Sequence, residues 1–298
     1  MAPVHGLAAY ITIDVDPVLH IGGLAIHWYG VLYAVAFWVA WRYAVSPHLT
    51  ARGVSQATVD KLVTWCIVAG LIGARLYYDV QNRDLIHNPI DVIAVWNGGM
   101  AFFGAIIVLF PLFFVLARQY RVNYWLLADA GVLFAVVGQP IGRIGNIING
   151  DILGSPSSLP WATAYTNPHA VLQSCCQLGV PYQPAAAYEL IGTVLIGVLL
   201  FALRRRGVRV GALAIVYVAL YAISQLVIFV YRASEPTVLG PFKQAQVTAL
   251  VILALGVPLL VALWRRFPPA RTPSGSPEPA AEVADQPTPA TPVESAMA

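Results

Sequence analysis

Seven separated stretches of this chain, 21–45, 59–78, 99–117, 124–143, 185–203, 210–231 and 245–264, are long and apolar. No other feature limits the fold as much. A bilayer span needs about 20 mostly apolar residues, and these runs are too long for buried strands. They leave little room for charge. Only 10% of the 298 residues are charged, where a soluble domain carries about 25%. The expectation is an all-α polytopic membrane protein with seven transmembrane helices. Trp28, Trp41, Trp96, Trp125 and Trp264 fall near span ends, as interfacial anchors do.

The net charge of +3 matters less than where the charge sits. Arg42, Arg52, Lys61, Arg118, Arg121, Arg204, Arg205, Arg206, Arg209, Arg265, Arg266 and Arg271 all fall on one side of a seven-span chain. Arg75, Arg83, Arg143, Arg232 and Lys243 fall on the other. The positive-inside rule then places the N-terminus outside and the C-terminus in the cytoplasm. Residues 1–266 form the membrane domain, with a long outer loop at 151–184. Residues 267–298 are rich in Pro, Ala, Ser, Thr and Glu, too polar for a core, and read as a disordered cytoplasmic tail. The first twenty residues lack the basic start of a cleavable signal. Cys66, Cys175 and Cys176 have no metal-binding spacing and are given no role. No internal repeat points to a transporter.

The polar groups within the spans gather toward the outer side. They are His27 and Tyr29 in "IHWYG", Arg75 in "GARLYYDV", Asn97 in "WNGGM", Tyr188 and Glu189 in "AAAYELIG", and Gln225 and Arg232. "GQPIGRIGNIINGDILG", residues 138–154, adds Arg143, Asn146, Asn149 and Asp151. If 143–150 stay helical, Arg143, Asn146 and Gly150 share a face. Gly142, Gly145 and Asn149 lie on a neighbouring face open to a helix or a ligand. Arginine presents a planar fork to phosphate oxygens and asparagine adds an amide donor. An arginine cluster set against the charge bias wants an anionic partner, and a phospholipid headgroup is the nearest one. Taken singly, each residue has a plainer reading. Arg143 or Arg75 would snorkel, the glycines would pack helices, His27 and the tyrosines would sit at the interface, and Asp129 would pair with a cytoplasmic arginine.

"GRIGNIINGDILG" closely resembles the signature of the prolipoprotein diacylglyceryl transferase family, with Asp151 where glutamate is usual. "IHWYG" is a second match; "GARLYYDV", "NGGMAFFGA" and "YEL" are weaker ones in the right order. The resemblance covers about residues 10–264. It implies a bacterial inner-membrane enzyme, multi-pass, with its active site toward the outer leaflet and no cofactor or metal. The implied partners are phosphatidylglycerol, a prolipoprotein signal peptide with its lipobox cysteine, and the bilayer; no nucleic acid is expected. The diacylglyceryl group moves to that cysteine's thiol, and glycerol phosphate leaves. His27, Tyr29 and Arg143 are the expected catalytic residues. Arg143, Asn146, Asn149, Gly150, Gly154, Arg75 and Arg232 are the expected substrate contacts. Phe103, Gln225 and Phe229 stand where the family commonly has histidine, arginine and glutamate. The alternative is a relative that binds phospholipid or lipoprotein without transfer.

Overall fold

The computed structural model describes residues 10–22, 24–86, 88–93, 99–232 and 237–267. Asn97 and the tail beyond 267 lie outside these, as do the side chains of Phe102 and Phe103. The apolar runs form helices. A helical segment runs from 28 to 50 as α1 (Trp28–Val39), a π-helical stretch (Ala40–Val45) and α2 (Ser46–Thr50). There follow α3 (Gln56–Gln81), α4 (Phe102–Gln119), α5 (Tyr124–Asn149), α6 (Ala185–Arg205) and α7 (Ala212–Ile228). A last helical run joins α8 (Gln244–Val251), a π-helical stretch (Ile252–Gly256) and α9 (Val257–Arg266). Four of these, Gln56–Gln81, Tyr124–Asn149, Ala185–Arg205 and Gln244–Arg266, are long and apolar enough to cross a membrane.

The first run differs from the expectation. Residues 21, 22 and 24–27 are strand or turn rather than helix. Strands β1 (Ile11–Ile13), β2 (Val18–Ile21) and β3 (Leu24–His27) precede α1, and β2 pairs antiparallel with β3. Gly22 takes a positive φ at the turn, a conformation glycine adopts without steric cost. The loop at 151–184 is also more regular than its sequence suggests. Its β4 (Thr163–Tyr165) pairs parallel with β1, Ile11 opposite Thr163. A short pair, β5 (Thr237–Leu239) and β6 (Phe242–Lys243), leads into α8.

α5 is the hub, packing on α1, α6 and α7. Leu133, Val136, Ile196, Leu200 and Leu213 are buried where α5, α6 and α7 meet. Pro140 inside α5 offers no N–H to the Val136 carbonyl, and Gly197 of α6 lies against that turn. α3 and α4 form a hairpin that shares a core cluster with the start of α5, through Leu62, Leu116 and Leu126. A Cβ at Gly73 would lie 2.6 Å from the Gly104 carbonyl, and one at Gly104 would lie 2.2 Å from the Gly73 carbonyl. The two backbones therefore touch, a contact only small residues permit. Large apolar side chains such as Trp38, Phe110, Leu195 and Leu255 point outward.

Asp129 settles the basic end. It is buried and accepts from the N–H groups of Gly211 (2.6 Å) and Ala214 (2.9 Å), closing the N-terminus of α7. The sequence suggested an arginine partner. Arg52 lies near enough to act on its charge, but the direct contacts are to backbone donors otherwise left unsatisfied. Trp264 adds a bond to the Val210 carbonyl at 2.7 Å and Trp125 one to the Phe267 carbonyl at 3.1 Å. Asp129→Ala should cost about 1–3 kcal/mol through the orphaned donors. The check is a lower melting temperature in detergent, with Asp129→Asn falling between the variant and the parent.

Candidate active site

α5 remains helical through Asn149, so Arg143 and Asn146 do stand one turn apart on one face. Gly150 ends the helix at φ 82°, the left-handed cap for which glycine is favoured. The neighbouring face is where α1 approaches. A Cβ at Gly145 would lie 3.1 Å from the Tyr29 ring, and one at Gly142 would lie 3.4 Å from the Tyr33 ring. These glycines thus set two tyrosines of α1 beside the polar face of α5.

The centre of the cluster is Glu189 of α6. It is buried and pairs with both Arg143 and Arg232, the latter at 3.2 Å. Arg143 also donates to Asn146 Oδ1 at 3.1 Å. Asn146 in turn donates to the Asp151 carboxylate, 3.1 and 3.2 Å from its two oxygens. Asn149 lies near the Asp151 carboxylate, and Tyr29 near Asn146. Tyr29 donates to Tyr33 at 3.0 Å. Tyr33 and Tyr221 lie within reach of the Arg143 charge. Burial pushes the Asp151 carboxyl above its ordinary value of 3.8, against the pull of Asn146, Asn149 and Arg143.

The backbone after α5 closes the site from behind. Gly154 bridges to Arg232, and its N–H donates to the Gln183 carbonyl at 2.8 Å. A Cβ there would sit 2.6 Å from the Tyr231 carbonyl, so only glycine fits. Tyr165 lies against Gly150 and donates to the Ile147 carbonyl at 2.6 Å. Lys243 donates to the carbonyls of Phe229 (2.8 Å) and Arg232, holding the end of α7.

Of the residues expected from sequence, the structure thus joins Tyr29, Arg143, Asn146, Asn149, Gly150, Gly154 and Arg232. It places two elsewhere. Arg75 is buried on α3, paired with Asp79 at 3.1 Å and bonded to the carbonyls of Asp91, Val92 (3.1 Å) and Gly99 (3.2 Å). Its described contacts stay on the α3–α4 hairpin, because an acid one turn away on its own helix meets the charge locally. His27 is exposed as the last residue of β3, opposite Val18, two residues before Tyr29. The sequence places Glu189 and Asp151 only among the outward polar groups, with no substrate contact, and does not single out Tyr33. The signal for Glu189 was its position: an acid inside an apolar run is seldom left without a cation. Gln225 lies on α7, and Phe229 places its ring under the Arg232 guanidinium, 5.1 Å from centroid to Cζ.

Two consequences are measurable. Glu189→Ala leaves two guanidinium groups without their shared anion and should cost about 3–5 kcal/mol, read as a fall in thermal stability in detergent. Asp151 carries a pH signature. Its folded value is raised, so above 3.8 the folded chain holds a proton that the unfolded chain has released. Its contribution to stability is therefore full below 3.8 and declines as pH rises through the folded value. Asp151→Asn should remove that slope from a plot of melting temperature against pH.

A family model described as prolipoprotein diacylglyceryl transferase matches residues 17–262. Among curated relatives, proteins named phosphatidylglycerol–prolipoprotein diacylglyceryl transferase are similar along nearly their whole length. The one from Listeria welshimeri is 30% identical, over 85% of this chain and 90% of the relative. The one from Nostoc sp. is 33% identical, over 88% and 94%. That from Solidesulfovibrio magneticus is 30% identical, over 85% and 95%. With its helices, its "GRIGNIINGDILG" segment and these matches, the chain belongs to the prolipoprotein diacylglyceryl transferase family.

Proposed function

We propose that this chain transfers the diacylglyceryl group of phosphatidylglycerol to the lipobox cysteine of a prolipoprotein. The thiol sulfur bonds to the glyceryl carbon, that carbon's bond to the phosphate oxygen breaks, and glycerol phosphate leaves with the electron pair. The family match supports the reaction. The observation that carries the site is the sharing of one carboxylate, Glu189, by two guanidinium groups. That pairing leaves positive charge at Arg143, whose side chain remains 25% exposed.

Arg143 and Asn146 bind the lipid phosphate and take up the charge that develops on the leaving group. Arg232 supports Arg143 through Glu189. Tyr29 orients the headgroup from α1. His27, exposed outside that cluster and two residues before Tyr29 in the chain, is the imidazole proposed to accept the thiol proton. Asn149, Gly150 and Gly154 form the wall. Arg75 acts at a distance, through its bonds to the carbonyls of Asp91, Val92 and Gly99. The seven runs span the inner membrane, with the N-terminus outside, the C-terminus cytoplasmic and the site at the outer leaflet. The helices and the one-sided placement of twelve of the seventeen basic residues support that orientation. Residues 1–266 are the membrane domain and 267–298 a cytoplasmic tail.

A second reading is a relative that binds lipid or lipoprotein without transfer. What favours it is the set Phe103, Gln225 and Phe229, standing where the family commonly has histidine, arginine and glutamate, with Phe229 stacked on Arg232. The test is expression in cells depleted of their own transferase, with thioether-linked diacylglyceryl measured on a reporter lipoprotein. The protein should restore the modification. Arg143→Ala should lower it by about 100-fold or more, and Arg209→Ala, at the basic end, should leave it near the parent level. Absence of modification, with the protein present in the membrane, would overturn the transferase reading and favour the binding one.

A further inference from the structure

The outer loop carries two adjacent cysteines that the proposed reaction does not use. Cys175 is exposed and Cys176 half-buried. Their sulfurs are 2.7 Å apart, so both side chains turn to the same side of the peptide that joins them. A turn supports this arrangement, the Cys176 N–H donating to the Gln173 carbonyl at 2.9 Å. Cys176 packs against Leu153, Tyr165 and Tyr182, and the next residue, Gln177, donates its N–H to the Tyr182 hydroxyl at 2.8 Å. The third cysteine, Cys66, lies within α3 against a different core cluster, that of Val63 and Leu116. Within one chain the loop sulfurs therefore have each other.

The two sulfurs differ in a way that suits exchange. Burial, with the neighbouring sulfur adding to it, pushes the Cys176 thiol up to about 12, so it holds its proton at neutral pH. Cys175 is the sulfur that an incoming reagent meets. Neighbouring Cα atoms are about 3.80 Å apart across a trans peptide, whereas a disulfide usually spans about 4.4–6.8 Å. A bond between adjacent cysteines is thus strained and readily reduced, the character of a reversible bond rather than a structural one.

We propose that Cys175 and Cys176 form a reversible thiol–disulfide exchange site for external disulfides. The Cys175 thiolate attacks one sulfur of a disulfide RSSR. The S–S bond breaks, and RSH departs with the proton that Cys175 gave up. Cys176 then attacks the Cys175 sulfur, and its proton leaves on the second RSH. The product is a small ring disulfide enclosing one peptide bond. The dithiol loses two electrons and RSSR gains them. The site lies on the packed loop whose Tyr165 rests against Gly150.

The experiment equilibrates the purified full-length protein in detergent with mixtures of reduced and oxidised glutathione. The reaction is quenched with acid, free thiols are alkylated, and peptide masses are read. As the mixture becomes more oxidising, both loop thiols should escape alkylation together, with a mass loss of two hydrogen atoms. Excess dithiothreitol should restore both, while Cys66 keeps one thiol throughout. Cys175→Ser should not form the ring product. Lasting glutathione adducts on the parent protein would overturn the proposal. So would a disulfide-linked dimer in place of the ring, or two loop thiols alkylated at every ratio. The readout is thiol mass alone, so a failure of the transferase reading would leave this result intact.

Discussion

Everything at the polar end of this bundle depends on Glu189 being held by Arg143 and Arg232. The three residues come from α6, from α5 and from the short segment that follows α7. Each charge would be costly alone in a low-dielectric interior, and pairing is the way such groups persist there. The pairing also fixes geometry. It holds the C-terminal turn of α7 against the N-terminal turn of α6, and the Gly154–Arg232 bridge then draws the loop after α5 into the same place. Three helix ends and one loop are registered by a single carboxylate.

Elsewhere the helices meet through small residues. Gly73 and Gly104 let α3 and α4 touch, and Gly142 and Gly145 admit the tyrosines of α1. Apolar side chains gain little by association when the surroundings are equally apolar, so close backbone approach and polar contacts must supply specificity. The α3–α4 hairpin shows the same logic in miniature. Arg75 and Asp79 neutralise one another within one helical turn, and the remaining guanidinium donors tie down backbone carbonyls. Two arginines on the sparsely basic side thus have different uses, one bracing a connection and one presented at the site.

The helices were legible because a long apolar run has few alternatives. The limits of α5 and α6 were read closely, save that α5 continues past 143 to Asn149. The first run was misread at 21–27 because "IGGLAIH" is apolar enough to extend a span, although Gly22 breaks it. The loop at 151–184 was opaque for another reason. Its order comes from pairings distant in sequence, Ile11 with Thr163 and Gly154 with Arg232, and no local pattern records those. On α5 itself the spacing of Arg143 and Asn146 sufficed. The partner of Arg143 did not follow from spacing, since Glu189 meets it only when α6 packs on α5.

The plain reading of Arg143 was a side chain reaching for water at a span end. Its contacts argue against that. A snorkelling arginine lays its stem along apolar surface and leaves its head hydrated. Here both terminal nitrogens are engaged, one by Glu189 and one by Asn146, and the side chain is only 25% exposed. The head is therefore oriented by protein rather than by solvent. A cation held in place beside a second one, with one carboxylate between them, is prepared to meet an anion with little rearrangement. That is the condition under which charge on a departing phosphate is stabilised most effectively.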